Sequence, residues 1–338
     1  MLGTKEINQS NAAILRAWQH QVYDAKFLGT TWPVEYGGWD RPIIEEMIAF
    51  EEFTEASVPY GGFGLGIPVV GPSLLVHGTQ AQKEAHLRKI LTGDEMWCQG
   101  FSEPGAGSDL ASITTSAVDK GDHFLLNGHK IWSSYADLCD HMLLLARTGP
   151  DRYHGLTMFI VQPLPKEGMT TKPIIQITGG GEFCEVFLDE VKIPKSDTIG
   201  SVGEGWKVAM TVLGNERLNH PFSSLSVAEK ALKSLEARKL DVESMVQEAI
   251  AQKMFYYRLL DEIRKGKTLG SESAVLKFAA AELLQRVYEF ALDALPIEEL
   301  TQENWFQIYL ATRAATIAGG TSEIIRNVVG ERVLGLPR

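Results

Sequence analysis

Four short stretches of the chain carry residue types that do chemistry when they are held in place. The first is GWKVAMTVLGNERLNHPF, residues 205–222. Read as a helix, it sets Ala209, Val212, Leu213 and Glu216 three, four and seven residues apart, on one apolar stripe. An ionised carboxylate in such a stripe is costly to bury without a partner. Arg217 offers no local relief, because adjacent helix positions do not face each other. The stripe alone leaves the purpose of Glu216 open. The plain reading is a structural glutamate paired with a cation on another helix.

The second stretch is CQGFSEPGAGSDL, residues 98–110, where glycines, a proline and small hydroxyls let main chain approach a ligand and offer it amide donors. A surface turn between a helix and a sheet accounts for it equally well. The third, KIWSSYAD at residues 130–137, places Trp132 before two serines at a strand end. That order suits stacking on a flat ring with donation to its heteroatoms, or a core tryptophan with capping serines. The fourth is IAGGTSEIIRN, residues 317–327, in which Gly319-Gly320 end one helical run and Thr321-Ser322-Glu323 cap the next. Its functional alternative is close backbone approach to a ligand, with hydroxyls and a carboxylate around it.

The elements that must position these stretches change texture twice. Residues 1–95 carry helical periodicity, residues 96–203 read as strands, and residues 204–338 return to helices. In the middle part LLNGHKIW places Asn127-Gly128 between apolar runs, which predicts a hairpin turn there. HMLLLART, LTMFIVQPL and CEVFLDEVKIP are further strands. Four amphipathic stretches follow, KVAMTVLGNERL, SMVQEAIAQKMFYYRLLDEIRKG, SAVLKFAAAELLQRVYEFALDAL and WFQIYLATRAATIAG, and predict a four-helix bundle. The fold class is therefore multi-domain α+β, with an N-terminal α domain, a central antiparallel β domain and a C-terminal bundle. Helix–sheet–helix order excludes alternating βαβ units. Neither GGFGLG nor PGAGSDL has the third small residue of a dinucleotide fingerprint.

A net charge of −11 argues against nucleic acid and anionic membrane as partners. Cys98, Cys139 and Cys184 are odd in number and widely spaced, as expected of reduced thiols in the cytoplasm. The eight histidines show no metal-binding pair, so no metal is expected. No secretory leader opens the chain and no apolar run reaches membrane-spanning length.

Separately the four stretches decide little, but their order and spacing together do. WCQGFSEPGAGSDL, KIWSS, CEVFLDEVKIP, GEGW, NER and a closing IAGGTSEIIRNVVGERVLGLPR resemble the flavin-dependent acyl-CoA dehydrogenase family, in a bacterial subclass. The resemblance implies FAD as cofactor, an acyl-CoA as substrate and an electron-transfer flavoprotein as electron acceptor. It places Gln99, Phe101 and Ser102 along the flavin ring, Gly107 and Ser108 near the pyrophosphate and pantetheine, and Trp132 on the ring. Ser134 would donate to flavin N5, and Thr321 and Glu323 would lie near the phosphates and ribityl chain. Ser108, Arg217, Gly319 and Gly320 would contact the substrate, the glycine segment supplying a main-chain amide to the thioester carbonyl.

Many relatives carry the catalytic glutamate where this chain has Gly319, and a glycine cannot take a proton. A minority carry it in a Glu-Arg pair on the first bundle helix, which assigns the base to Glu216 in Asn215-Glu216-Arg217. A base there leaves room for a branched, long or ring-bearing acyl group. Two family elements are absent: an Arg-x-x-Phe-Gly segment expected between Leu225 and Met254, and a Gly-Gly element where Pro296 to Asn304 stands. How the adenine end of FAD is held, and whether the expected dimer or tetramer is built from like or unlike chains, stay open. Little precedes Ile14 to build the customary first helix, so a short N-terminus opens the acyl pocket or a partner covers it. Two further readings remain: a flavin monooxygenase or oxidase on the same fold, and one subunit of a hetero-oligomeric dehydrogenase.

Overall fold

The computed structural model describes residues 7–267 and 270–337. Four helices come first: α1 (Gln9–Asp24), α2 (Ile43–Glu55), α3 (Gly71–His77) and α4 (Gln80–Thr92). Eight strands follow: β1 (Trp97–Gly100), β2 (Ser116–Asp119), β3 (His123–Ser134), β4 (His141–Arg147), β5 (Leu156–Val161), β6 (Met169–Ile174), β7 (Phe183–Pro194) and β8 (Thr198–Ile199). The last part holds α5 (Gly205–Ala237), α6 (Glu243–Arg264), α7 (Glu272–Ala294), α8 (Ile297–Gln302), α9 (Trp305–Thr312) and α10 (Ser322–Val328). Among the described residues no helix is long and apolar enough to cross a membrane. The chain divides into two compact units, one of residues 6–41 and 60–215, the other containing residues 42–59 and 216–338.

In the first unit the sheet runs β6-β7-β3-β2-β4-β5-β8, with β1 added beside β4. Most pairings are antiparallel, while β1 and β2 run parallel to β4. Strands β4 and β5 are mostly apolar because both their faces are covered; Met142 to Ala146 and Leu156 to Val161, Thr157 included, are fully buried. Each such leucine contributes about 1.5–3 kcal/mol by leaving water. Strands β3 and β7 instead alternate buried and half-buried residues, the mark of a half-covered face. Helix α4 starts on a reciprocal Thr79–Gln82 cap and stops at Gly93, whose φ of 84° is left-handed. Helix α1 starts on an equivalent Asn8–Asn11 cap, so an opening helix is present from Gln9.

The hairpin expected at Asn127-Gly128 does not form there. Residues 127–128 lie inside β3, where the register against β7 slips between Leu126 and Gly128. The site is a bulge: Asn127 Oδ1 accepts from the Glu190 amide, and a Cβ on Gly128 would sit 2.3 Å from Thr115 Oγ1. Close packing, not chain reversal, explains that glycine. The chain reverses between β2 and β3 instead, around Gly121 at φ 100°.

In the second unit, two apolar clusters hold the helices. One joins Leu225, Leu232 and Leu235 of α5 to Leu283, Leu284 and Val287 of α7 and to Trp305. The other joins Met47 of α2 to Phe222, Tyr256, Leu259 and Leu276. Helix α5 runs well beyond the predicted KVAMTVLGNERL, passing through Pro221 to Ala237. The last predicted helix is shorter than its periodicity implied. It stops at Thr312, whose carbonyl receives the Gln285 side-chain amide, and continues as tight turns to Ala318.

Candidate active site

Strand β1 delivers the 98–110 stretch from the middle of the sheet, Gln99 opposite Leu143 of β4. The loop folds back on itself through paired backbone bonds between Glu103 and Ala106, 3.0 Å each way. An internal ion pair then fastens it to β3. Lys130, fully buried, donates to Glu103 Oε1 at 2.9 Å and to the Phe101 carbonyl at 3.0 Å. Glu103 also accepts from the Thr114 and Thr115 amides and the Thr114 hydroxyl. Burial works against the Glu103 carboxylate, but Lys130 and these donors outweigh it and bring its pKa down to about 2. Burial brings Lys130 down to about 8, against the pull of Glu103. Both pKa values fall, which favours the charged carboxylate and disfavours the charged lysine.

Held this way, the loop's tip faces outward. Gly107 and Ser108 are exposed, and a Cβ built on Gly107 meets nothing within 4 Å. Gln99 and Ser102 are half-buried. The Phe101 ring is buried in the protein, which leaves its main chain as the part available to a ligand.

The Ser102 carbonyl accepts from the Ile131 amide, which ties the loop to the end of β3. There the register slips again, between Lys130 and Ser133, and Trp132 adopts φ 63°. Tyr135, three residues on, also has a left-handed φ of 56°. Bulky residues rarely take this conformation, and such strain gathers at functional sites. The indole gains little burial in return, remaining 55% exposed with only an edge contact to Phe183. The Ser133 hydroxyl is buried without a hydrogen-bond partner, and Ser134 lies half-buried opposite Phe183. An open aromatic face beside hydroxyls fits a flat ring bearing heteroatoms. The core-tryptophan alternative does not hold.

The second unit holds the acid. Gly319 and Gly320 both take left-handed φ, 68° and 106°. A Cβ on Gly319 would lie 3.4 Å from Glu216 Oε1 and 3.7 Å from its Cδ. The Glu216 carboxyl thus stands where a side chain at position 319 would point. Burial raises its pKa above the ordinary glutamate value, against the opposing charges of Arg217 and Lys277. One turn on, Pro221 cannot donate to the Arg217 carbonyl, so the helix loses a rung beside the acid. Arg217 Nε is buried without a hydrogen-bond partner. Thr321 is occupied as the cap of α10, accepting from the Ile324 amide, and Glu323 is exposed in that helix's first turn. The glycine pair does not itself end α9, because the turns of 313–318 intervene.

Three residues escaped sequence reasoning. Glu103 and Lys130 are 27 positions apart, and only the buried lysine of HKIW hinted at a partner. Lys277 is the third: it is buried on α7, and its Nζ donates to the Gly320 carbonyl at 2.6 Å. In the first unit, His86, Glu95 and His141 lie close enough to share an ion. The Glu95 oxygens already accept from or pair with His86, Lys89 and Trp97 Nε1, while His141 Nδ1 is buried without a hydrogen-bond partner.

Comparison with known proteins gives a consistent result. Residues 4–94, 98–191 and 203–334 match the N-terminal, middle and C-terminal domains of acyl-CoA dehydrogenases. Acyl-CoA dehydrogenase IpdE1 of Mycobacterium tuberculosis is 35% identical, over 96% of this chain and 88% of the relative. Among solved structures, one named Tcur3481-Tcur3483 steroid ACAD is 27% identical with a TM-score of 0.82, covering 96% of this chain and 89% of that one. The ChsE4-ChsE5 complex of Mycobacterium tuberculosis gives 27% identity and a TM-score of 0.78, covering 96% and 90%.

Proposed function

This chain belongs to the acyl-CoA dehydrogenase family, and from that premise we propose that it desaturates a bulky acyl-CoA between Cα and Cβ with Glu216 as the base. The observation that carries the reading is the 3.4 Å between the would-be Gly319 Cβ and Glu216 Oε1. The carboxyl has a new point of attachment but serves the same space.

An unactivated α-C–H is a weak acid, so the site must stabilise the enolate as well as accept the proton. Glu216 accepts it; burial raises its pKa, which improves the match to a carbon acid. Amides of the Gly319-Gly320 turn donate to the thioester carbonyl, a task that needs no side chain. Arg217 Nε, buried and unmatched, is available to a polar group of the substrate.

The residues present fit FAD: an exposed, strained Trp132, an unmatched Ser133 hydroxyl, and an open Gly107 that admits close backbone approach. By the family resemblance, Gln99, Phe101, Ser102, Gly107, Ser108, Trp132, Ser134, Thr321 and Glu323 would hold it. When bound, FAD supplies the two-electron acceptor for the hydride lost from Cβ. We assign reoxidation to an electron-transfer flavoprotein, and a three-part organisation divided near residues 95 and 203. A cytoplasmic location and an oligomer of like or unlike chains complete the reading; the ChsE4-ChsE5 relative supports unlike chains.

Bulk at the acyl end is supported by the steroid ACAD relative. The test is anaerobic flavin bleaching by a panel of acyl-CoAs, with Glu216→Gln alongside. Wild type should bleach with bulky substrates. The variant should bind FAD and acyl-CoA yet bleach about 10²–10⁴-fold more slowly, the usual worth of a positioned base. Undiminished bleaching would remove Glu216 from the mechanism, and preference for butyryl-CoA would remove the bulky substrate.

A further inference from the structure

Lys277 is a charged residue where helix packing calls for an apolar one. Its neighbours along α7, Ala274, Leu276, Ala280 and Ala281, are buried. Placing an ammonium among them is costly unless its charge and its hydrogens are both used. One hydrogen goes to the Gly320 carbonyl at 2.6 Å. That carbonyl belongs to the turn whose left-handed glycines present the amides to the substrate carbonyl. That carbonyl shares its peptide plane with the Thr321 N–H, so a donor gripping it fixes the plane that closes the glycine turn.

The charges around this point come from several elements. Glu216 faces Arg217 of its own helix and Lys277 of α7. Lys277 faces Glu216 and Arg217 of α5, Glu282 of α7 and Glu323 of α10. Arg217 faces Glu216 and Arg332. Arg217 follows Glu216 directly in the helix, so the two side chains diverge. Lys277 reaches the acid from a different helix and touches the turn beside it.

We propose that Lys277 is a positioning residue for the dehydrogenation: its ammonium orients the Gly319-Gly320 turn and keeps the Glu216 carboxylate ionised to receive the proton. The proposal rests on the reading of Glu216 as base. Activity then requires Glu216 deprotonated and Lys277 protonated. Rising pH satisfies the first condition and ends the second, because burial has brought Lys277 down to about 8. Above that pH the turn is held by a neutral amine, and of the two cations acting on the acid only Arg217 stays charged.

The proposal is tested with Lys277→Met and Lys277→Arg. In unliganded protein carrying ¹³C-carboxyl glutamate, the Glu216 resonance is assigned by its loss in Glu216→Gln. Its titration should move up by about one unit in Lys277→Met, roughly tenfold less ionised at an intermediate pH. In flavin bleaching, wild type should lose rate near pH 8. Lys277→Arg should hold its rate past that pH, because guanidinium does not titrate there. An unmoved Glu216 titration in Lys277→Met overturns the proposal. So does a Lys277→Arg alkaline limb identical to wild type, and that result stands even if Lys277→Met fails to fold. If Glu216→Gln bleaches at the wild-type rate, the base assignment falls; if it is inactive while both Lys277 readouts stay put, only the role of Lys277 falls.

Discussion

If the acid at 216 and the glycine at 319 serve one space, the carboxyl can be moved from one residue to the other. The perturbation is the pair Glu216→Ala and Gly319→Glu, alone and combined. Glu216→Ala removes the base and should slow bleaching about 10²–10⁴-fold, which is about 3–5 kcal/mol in the barrier. Gly319→Glu alone adds a second carboxyl whose Cβ starts 3.4 Å from Glu216 Oε1. Two acids so placed cannot both ionise freely, so this variant should also be slow. In the double variant the volume of the Glu216 side chain is vacated and the new carboxyl enters it. Its backbone must hold φ 68°, a strain of about 1–2 kcal/mol for a residue with a Cβ. Imperfect aim costs a further factor of about 10². With the base worth about 10³, the middle of that range, the double variant should recover roughly tenfold over Glu216→Ala, without reaching wild type. Stopped-flow bleaching under anaerobic conditions reads all four proteins, with FAD absorbance and acyl-CoA titration confirming occupancy. A double variant that binds both ligands yet reacts no faster than Glu216→Ala would refute the shared-space reasoning.

Two other outcomes follow from the first unit. The Glu103 carboxyl has a folded pKa of about 2 against 4.5 for a free glutamate, so its stabilising contribution is complete above 4.5 and disappears as pH falls toward 2. That difference of 2.5 units corresponds to about 3 kcal/mol; urea unfolding at pH 6 and pH 3 should show a steeper loss in wild type than in Glu103→Gln, and equal slopes would contradict the pairing. Trp132→Ala should weaken FAD binding roughly tenfold or more while shifting the unfolding temperature little, since the indole is 55% exposed; titration of apoprotein with FAD checks this, and unchanged affinity would take Trp132 off the flavin.

Much of the site was legible because its pieces are local. The stretch SEPGAGSD announces a loop that admits a ligand, and Glu216 announces itself by standing in an apolar period. The Asn127-Gly128 dipeptide misled for an equally physical reason. A glycine required by a 2.3 Å approach to Thr115 looks, in one dimension, like a glycine required by a turn. Lys277 was invisible because SAVLKFAAAELL tolerates a lysine on its solvent side, and burial of that lysine depends on what packs across α7. Glu103 and Lys130 had separate local explanations until the sheet brought them to 2.9 Å.

The sequence by itself determined the family and the order of helical and strand regions, and it set Glu216 in an apolar period, because these rest on residue types at short spacing and on periodicity. Only the tertiary structure decided that Lys277 holds the Gly320 carbonyl, which serine is buried unmatched beside Trp132, and that the carboxyl of residue 216 lies in front of residue 319. Those facts are distances and desolvation between segments far apart in the chain. Folding sets them, and no local pattern encodes them.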